Sequence, residues 1–388
     1  MPKTEIIYFL PDVDAGVTSI VRNLLKYRPK SDLKYKVIFT REIERESVYI
    51  KDIFNVDEQI VFKYSKHENL YAVSKRLKSY VTSSDSILVS NDGLEMRMVQ
   101  LLKMPNPLAY IIHGDFKYYY GLVNQNQGII DQYIAYSKFT EEQLYTKIDS
   151  SNHNKVKMLY YPVPEIKSSL QTDKPTDLLF VGSFNERKGV QFLFKIYKAI
   201  QAKLPHVNFV LVGSGEMDAE LKAQFSLEPN VLFKGQLNNS EVTQEMQKAK
   251  VLLFPSLSEG LPNVVVESMK AKCVPVCSDI PSGIPDLIDD KVTGYRVPIG
   301  DITLFSNSAI DLLENEESRS SIAKNAFNKA YSMFNPVKNA EHYEDLILKI
   351  EPKEKLFLNQ TLGGILNQKY MPNALVTLIR KLNLSPKL

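Results

Sequence analysis

The sequence predicts an α/β protein built on two parallel, doubly wound sheets. Three observations carry that expectation. Strand-length runs that are apolar throughout recur along the whole chain, as strands buried on both faces require. Helix-length amphipathic stretches separate them. At 388 residues the chain exceeds one ordinary hydrophobic core and suits two domains. In order, the first-half strands are expected at EIIYFL (5–10), YKVIFT (35–40), QIVF (59–62), SILVS (86–90), LAYIIHG (108–114), QYIAYS (132–137) and VKMLYYPV (156–163). A first helix opens at Gly16, and a basic one carries Lys75, Arg76 and Lys78. The second-half strands are LLFV (178–181), NFVLV (208–212), VLFKG (231–235), VLLFP (251–255) and VPVCS (274–278). Periodicity stops over the polar residues 165–177, which places a domain break there. The expected division is 1–165, 172–334 and a terminal segment 335–388.

Composition narrows the class. The 44% hydrophobic and 24% charged content is that of a globular protein, and a formal charge of +3 with no basic, aromatic-interleaved stripe argues against nucleic acid as a partner. No apolar run approaches the roughly eighteen residues a bilayer span needs. The opening MPKTEIIYFLPD lacks a secretory h-region and cleavage site, so a cytoplasmic location is expected. Cys273 and Cys277 are four apart in an expected strand, about 13 Å between Cα atoms, too far for a disulfide.

The most informative stretch is SLSEGLPNVVVES, residues 256–268. An apolar strand runs into a Gly-containing loop, and Pro262 and Asn263 suit a helix start. Free backbone N–H groups and the positive end of the helix dipole then converge on one point, which suits a phosphate. Glu259 stands in the loop and Glu267 one turn beyond Asn263, so a ligand with both phosphates and hydroxyls would satisfy the set. A second cluster lies after LLFV: past Gly182 a short loop delivers Arg187, Lys188 and Gly189 to a helix start, where cations are unfavourable unless an anion is near.

These blocks, with FVLVGSGE (209–216), NVLFKGQL (230–237), VPVCSDIPSGIPDLI (274–288) and TGYRVPIGD (293–301), resemble the retaining glycosyltransferases of family four, whose donor signature is E-G-[FL]-P with a second Glu eight positions after the first. The resemblance implies GT-B architecture, two Rossmann-like doubly wound domains facing across a cleft, and transfer of a sugar from a nucleotide-sugar donor to a hydroxyl of a glycan or lipid-linked acceptor. It implies Arg187 and Lys188 on the donor diphosphate in place of a metal, with no cofactor. Gly235 and Leu237 would lie against the nucleobase, Glu267 would take the ribose hydroxyls, and Glu259 the sugar or the positive charge at its anomeric carbon. Gly182 belongs to the same donor site, and backbone N–H groups of Gly260, Leu261, Val264 and Val265 would bind sugar and phosphate oxygens. The chain departs from the family at Ser183, where an Arg is usual, and Arg187 would replace it. Residues 335–350 resemble the helix that crosses back to the first domain.

From the first half, the resemblance places His113 near the donor sugar, with Asp115 the nearest candidate for orienting it or receiving an acceptor hydroxyl, and Gly16 in a loop approaching the acceptor and the diphosphate. GSG at 213–215 is a weak signal alone. Asp12 and Asp14 form a D-x-D triplet that holds a metal in transferases of another fold; here the loop position favours turn chemistry. Two rivals share these residues: a nucleotide-sugar epimerase on the same frame, and a non-catalytic glycan-binding or partner subunit. Intact Glu259, Lys188 and Glu267 speak for turnover. Finally, residues 349–388 carry seven Lys or Arg against two Glu, and Leu375, Leu378, Ile379 and Leu382 recur at helical spacing beside Arg380 and Lys381. Such a helix either meets the anionic inner face of a membrane or docks its apolar stripe on the protein.

Overall fold

The computed structural model describes residues 5–13, 16–46, 49–50, 53–166, 174–351, 353–358 and 364–382. The chain forms two compact units: residues 1–136, 141–162 and 337–388 make unit 1, and residues 137–140 and 163–336 make unit 2. Each contains one parallel sheet, as the apolar runs require.

Unit 1 has seven strands, β1 (Glu5–Pro11), β2 (Lys34–Glu42), β3 (Glu58–Tyr64), β4 (Ile87–Ser90), β5 (Leu108–Ile111), β6 (Gln132–Ala135) and β7 (Val156–Met158). Their order is β3-β2-β1-β4-β5-β6-β7, so chain direction through the sheet reverses between β1 and β4. The central strands β4, β5 and β6 are buried at every position, which is why their sequences show no alternation. Three expected strands, β5, β6 and β7, stop two or more residues short of their apolar runs, β6 ending before Tyr136. β5 stops before Ile112, and β7, at the sheet edge, pairs over three residues only; Tyr161 and Val163 are buried without extending the ladder.

Unit 2 has six strands, β8 (Thr176–Val181), β9 (Phe209–Val212), β10 (Val231–Gly235), β11 (Ala249–Phe254), β12 (Val274–Ser278) and β13 (Tyr295–Val297), in the order β10-β9-β8-β11-β12-β13. β13 lies within TGYRVPIGD, too short to show a strand pattern of its own. Phe180, Phe209, Val251 and Leu253 of the sheet pack against Leu193, Tyr197 and Ile200 of the helix Val190–Gln201 and Phe305 of the helix Ile302–Glu314. Cys273 and Cys277 are free and buried in this unit.

Lys270 closes unit 2. Its side chain, 3% exposed, donates to the Val163 and Phe334 carbonyls at 2.6 and 2.8 Å, and Val163 N–H reaches Phe334 O at 3.4 Å. Burial, partly offset by Glu165 and Glu267, lowers its pKa to about 8.

The helix Pro336–Leu348 returns the chain to unit 1, where Tyr343 donates to Leu159 O at 2.9 Å and Glu344 accepts from Tyr35. Beyond it, Lys355 pairs with Asp131 at 2.6 Å in a buried contact. The terminal helix Asn373–Lys381 docks on the start of the helix Leu70–Lys78. It does so mainly through polar groups: Asn69 N–H donates to Asn373 Oδ1 at 2.7 Å, Asn69 Nδ2 to Met371 O at 2.7 Å, and Arg380 to Glu68 O and Asn367 Oδ1. Val376 is fully buried, yet Leu375, Leu378 and Leu382 are about half exposed. The apolar stripe therefore faces solvent for the most part.

Candidate donor site

The carboxyl ends of the unit 2 strands gather the sequence-predicted residues. β8 ends before Gly182, and the following loop makes a single 3₁₀ turn, Glu186–Lys188, capped by Asn185 Oδ1 accepting from Lys188 N–H at 3.1 Å. Gly189 ends that turn at φ 72°, and a Cβ there would lie 1.9 Å from Pro255 O, so only glycine fits. This close approach presses the turn onto the loop after β11. Leu257 N–H donates to Arg187 O at 2.8 Å, and the Ser256 hydroxyl lies 3.0 Å from the same carbonyl.

The two loops bring two cations and a hydroxyl to one carboxylate oxygen. Glu259 Oε1 is 2.6 Å from Lys188 Nζ, 3.1 Å from Arg187 Nη1 and 2.7 Å from Ser256 Oγ. Lys188 and Glu259 are largely buried, with side chains 15% and 10% exposed, whereas Arg187 is 42% exposed. Burial lowers the Lys188 pKa and Glu259 opposes that shift. Sequence reasoning assigned the cations to a diphosphate and the carboxylate to a sugar. Here the one carboxylate pairs with both cations and leaves a positive charge in excess, which an anion would offset.

The helix Asn263–Lys270 follows, with Pro262 as N-cap. The loop leaves the Gly260 amide, and the first turn the Val264 amide, free of protein acceptors among the described residues. Val265 is a correction: its N–H donates to Pro262 O at 3.1 Å as the first turn closes. Leu261 is buried against Gly283, whose N–H donates to Gly260 O at 2.7 Å and fixes the loop from the far side. The half-buried Glu267 carboxyl makes no hydrogen bond or ion pair among the described residues, and burial raises its pKa to about 7, with Lys270 working the other way. One turn earlier Asn263 Oδ1 is buried without a partner. A carboxyl group and an amide oxygen on one helix face thus lack donors, which sugar or ribose hydroxyls would supply. Gly235, at φ 65°, ends β10 and its carbonyl accepts from Gly213 N–H at 2.8 Å; Leu237 is half-buried just beyond.

In unit 1, His113 stands two residues past β5. Asp115 does not orient it: that carboxylate accepts from Tyr120 at 2.6 Å. The partner is Asn91, a residue sequence reasoning missed, at 2.6 Å from His113 Nε2. Asn91 Nδ2 donates to Phe9 O at 2.9 Å, so its Oδ1 faces the ring and Nε2 carries the proton. Burial pushes the His113 pKa down to about 3. Gly16 begins the first helix, beside Thr18, whose hydroxyl donates to Val13 O at 2.7 Å. Asp12 is buried, its carboxylate held by Arg41 at 2.5 Å and by Ile50 N–H at 3.2 Å; that engagement is structural, and Asp14 lies outside the described residues.

Comparison with known proteins adds the class. Residues 163–329 match the family model described as glycosyl transferases group 1. The chain is 24% identical over 333 residues to N-acetyl-alpha-D-glucosaminyl L-malate synthase of Bacillus anthracis, covering 84% of this chain and 81% of that protein. It is 31% identical over 177 residues to a Campylobacter jejuni alpha-1,4-N-acetyl-D-galactosaminyltransferase named for a PP-undecaprenol substrate, covering 44% of this chain and 49% of that protein. Among solved structures, Anabaena HepE in complex with UDP and glucose superposes with a TM-score of 0.73 at 17% identity, over 89% of this chain and 99% of that one. The chain is a glycosyltransferase of GT-B fold, and the segment that matches the glycosyl transferases group 1 model lies in unit 2.

Proposed function

We propose that the enzyme moves a sugar from a nucleoside diphosphate donor to a hydroxyl of a glycan or lipid-linked acceptor, retaining the anomeric configuration and using no metal, as in glycosyltransferase family four. The observation that carries this reading is the meeting of Lys188, Arg187 and Glu259 at one point of the unit 2 carboxyl edge, beside a helix start with free amides. A diphosphate entering there takes over the two cations and the amides of Gly260 and Val264, and releases Glu259 toward the sugar. The bond from the anomeric carbon to the phosphate oxygen then breaks as the acceptor oxygen bonds to that carbon from the same face. The acceptor proton passes to the departing phosphate oxygen. Lys188 and Arg187 stabilise the charge growing on that group, and Glu259 the positive charge on the sugar. Glu267 holds ribose hydroxyls and Gly235 and Leu237 border the base. Gly16 and Gly182 belong to the donor loops, His113 presents a neutral ring to the sugar, and Asp115 is a further acceptor-side contact. The half-exposed leucines of the terminal helix, with Lys381 and the basic helix Leu70–Lys78, suit an anionic membrane face where a lipid-linked acceptor resides.

The test is direct: purified enzyme is incubated with each of a panel of nucleotide sugars, with and without lipid-linked or free glycans. Nucleoside diphosphate release that requires an acceptor, with an α-linkage formed from an α-donor, is the expected result. Inverted product, or a donor isomerised without acceptor, would refute the reading.

A further inference from the structure

Unit 1 holds a cavity of about 350 Å³ on the carboxyl edge of its sheet. Glu42 and Tyr64, the last residues of β2 and β3, line it, as does Asp92 two residues past β4. Open α/β sheets take their ligands at this edge. The charges are balanced: Glu42, Glu68 and Asp92 face Lys66, Arg97 and Arg380. Asp92 accepts from Tyr118, and Glu68 is held by Arg76 at 2.8 Å. Glu42 and Arg97 make no side-chain hydrogen bond or ion pair among the described residues, although both line one cavity. A free acceptor group and a free donor fork sharing one space suit a ligand that both donates and accepts, as hydroxyls do. A phosphate or carboxylate would find no surplus of cations. Tyr64, Tyr118 and three leucines supply apolar faces for the C–H side of a sugar ring.

The far wall comes from the C-terminal tail. Asn367 Oδ1 accepts from Leu70 N–H and from Arg380 Nη2, both at 2.9 Å, and Arg380 also donates to Glu68 O. The tail is thereby locked against the cavity before any ligand arrives, which lowers the ordering cost of binding.

We propose that this cavity is a saccharide site for an uncharged sugar unit of the acceptor, and that the tail residues Asn367 and Arg380 are specificity determinants because they build one wall. This rests on the reading of the acceptor as a glycan. The experiment applies full-length protein to an array of neutral and acidic oligosaccharides and titrates UDP into the same preparations. Wild type is expected to retain neutral glycans. Arg97→Ala and Glu42→Gln should each weaken that retention about tenfold, the order of one lost polar contact, with UDP affinity unchanged; Arg97→Lys should restore part of it. Arg380→Ala should weaken it too, with a melting temperature near that of wild type. Capture confined to acidic glycans, unaltered capture by Arg97→Ala and Glu42→Gln, or no capture by protein that binds UDP each overturns the site. The UDP titration reports separately on the donor reading: a wild type that binds glycans but no nucleotide would count against that reading and leave the saccharide site standing.

Discussion

Burial disfavours the Lys188 ammonium, and the anion beside it, Glu259, favours it. A leaving diphosphate is a stronger anion than one carboxylate, and its charge grows through the reaction. Lys188→Ala should therefore lower kcat about a hundredfold with little change in donor KM. Steady-state kinetics beside a thermal melt check this, and an unchanged kcat in folded protein would remove Lys188 from the chemistry. Glu267 predicts a pH dependence. Its folded pKa is raised to about 7, and only the ionised form accepts from two ribose hydroxyls, so donor affinity should fall as pH drops through about 7. In Glu267→Gln affinity should be weaker and flat across that range, read by calorimetric titration. His113 should contribute no inflection at neutral pH, because its ring stays neutral down to about 3.

At the scale of elements, Lys270 joins the helix Asn263–Lys270 to both edges of unit 2. Lys270→Met removes the ammonium and leaves two buried carbonyls short of a donor, which should cost about 1–3 kcal/mol. Denaturant unfolding measures it, and a melt equal to wild type would show that water replaces the lysine. The terminal helix gives a second expectation. Its polar side is committed to Glu68 and Asn69, so its leucines are free to meet lipid. Binding to anionic vesicles should be salt-sensitive and weaken in Leu375→Ser/Leu378→Ser, each nearby cation contributing about 1 kcal/mol. Sedimentation with neutral vesicles is the control; equal binding to both, or none, would return this face to the solvent.

For the whole molecule, activity should persist in EDTA, since Arg187, Lys188 and the helix start already supply the positive charge a divalent ion would bring. Complete loss, restored by magnesium, would contradict that. The sheets were legible in the sequence because parallel strands buried on both faces show no polar alternation; β4 to β6, buried throughout and interrupted only by Ser90 and Gln132, are the clearest cases. Two of the four edge strands were not: β7 is shorter than its run and β13 too short to leave a pattern. In the site, Lys188 and Glu259 could be placed because each sits where a strand meets a helix start. Asn91 could not, since its partner is 22 residues away and only β4 lying beside β5 unites them. Lys270 carries no signal in the sequence, because its acceptors are 107 and 64 residues distant. That lysine has one more implication. Residues 163 and 334 share its ammonium, so the long segment of unit 2 begins and ends almost at one point. A segment with adjoining ends is a natural cassette: recombination can lift it out, or a homologue's version can be spliced in, with little disturbance to the host fold. Donor preference in this enzyme should thus be transferable by exchanging residues 163–334 as a block, leaving the rest of the chain to choose what is glycosylated.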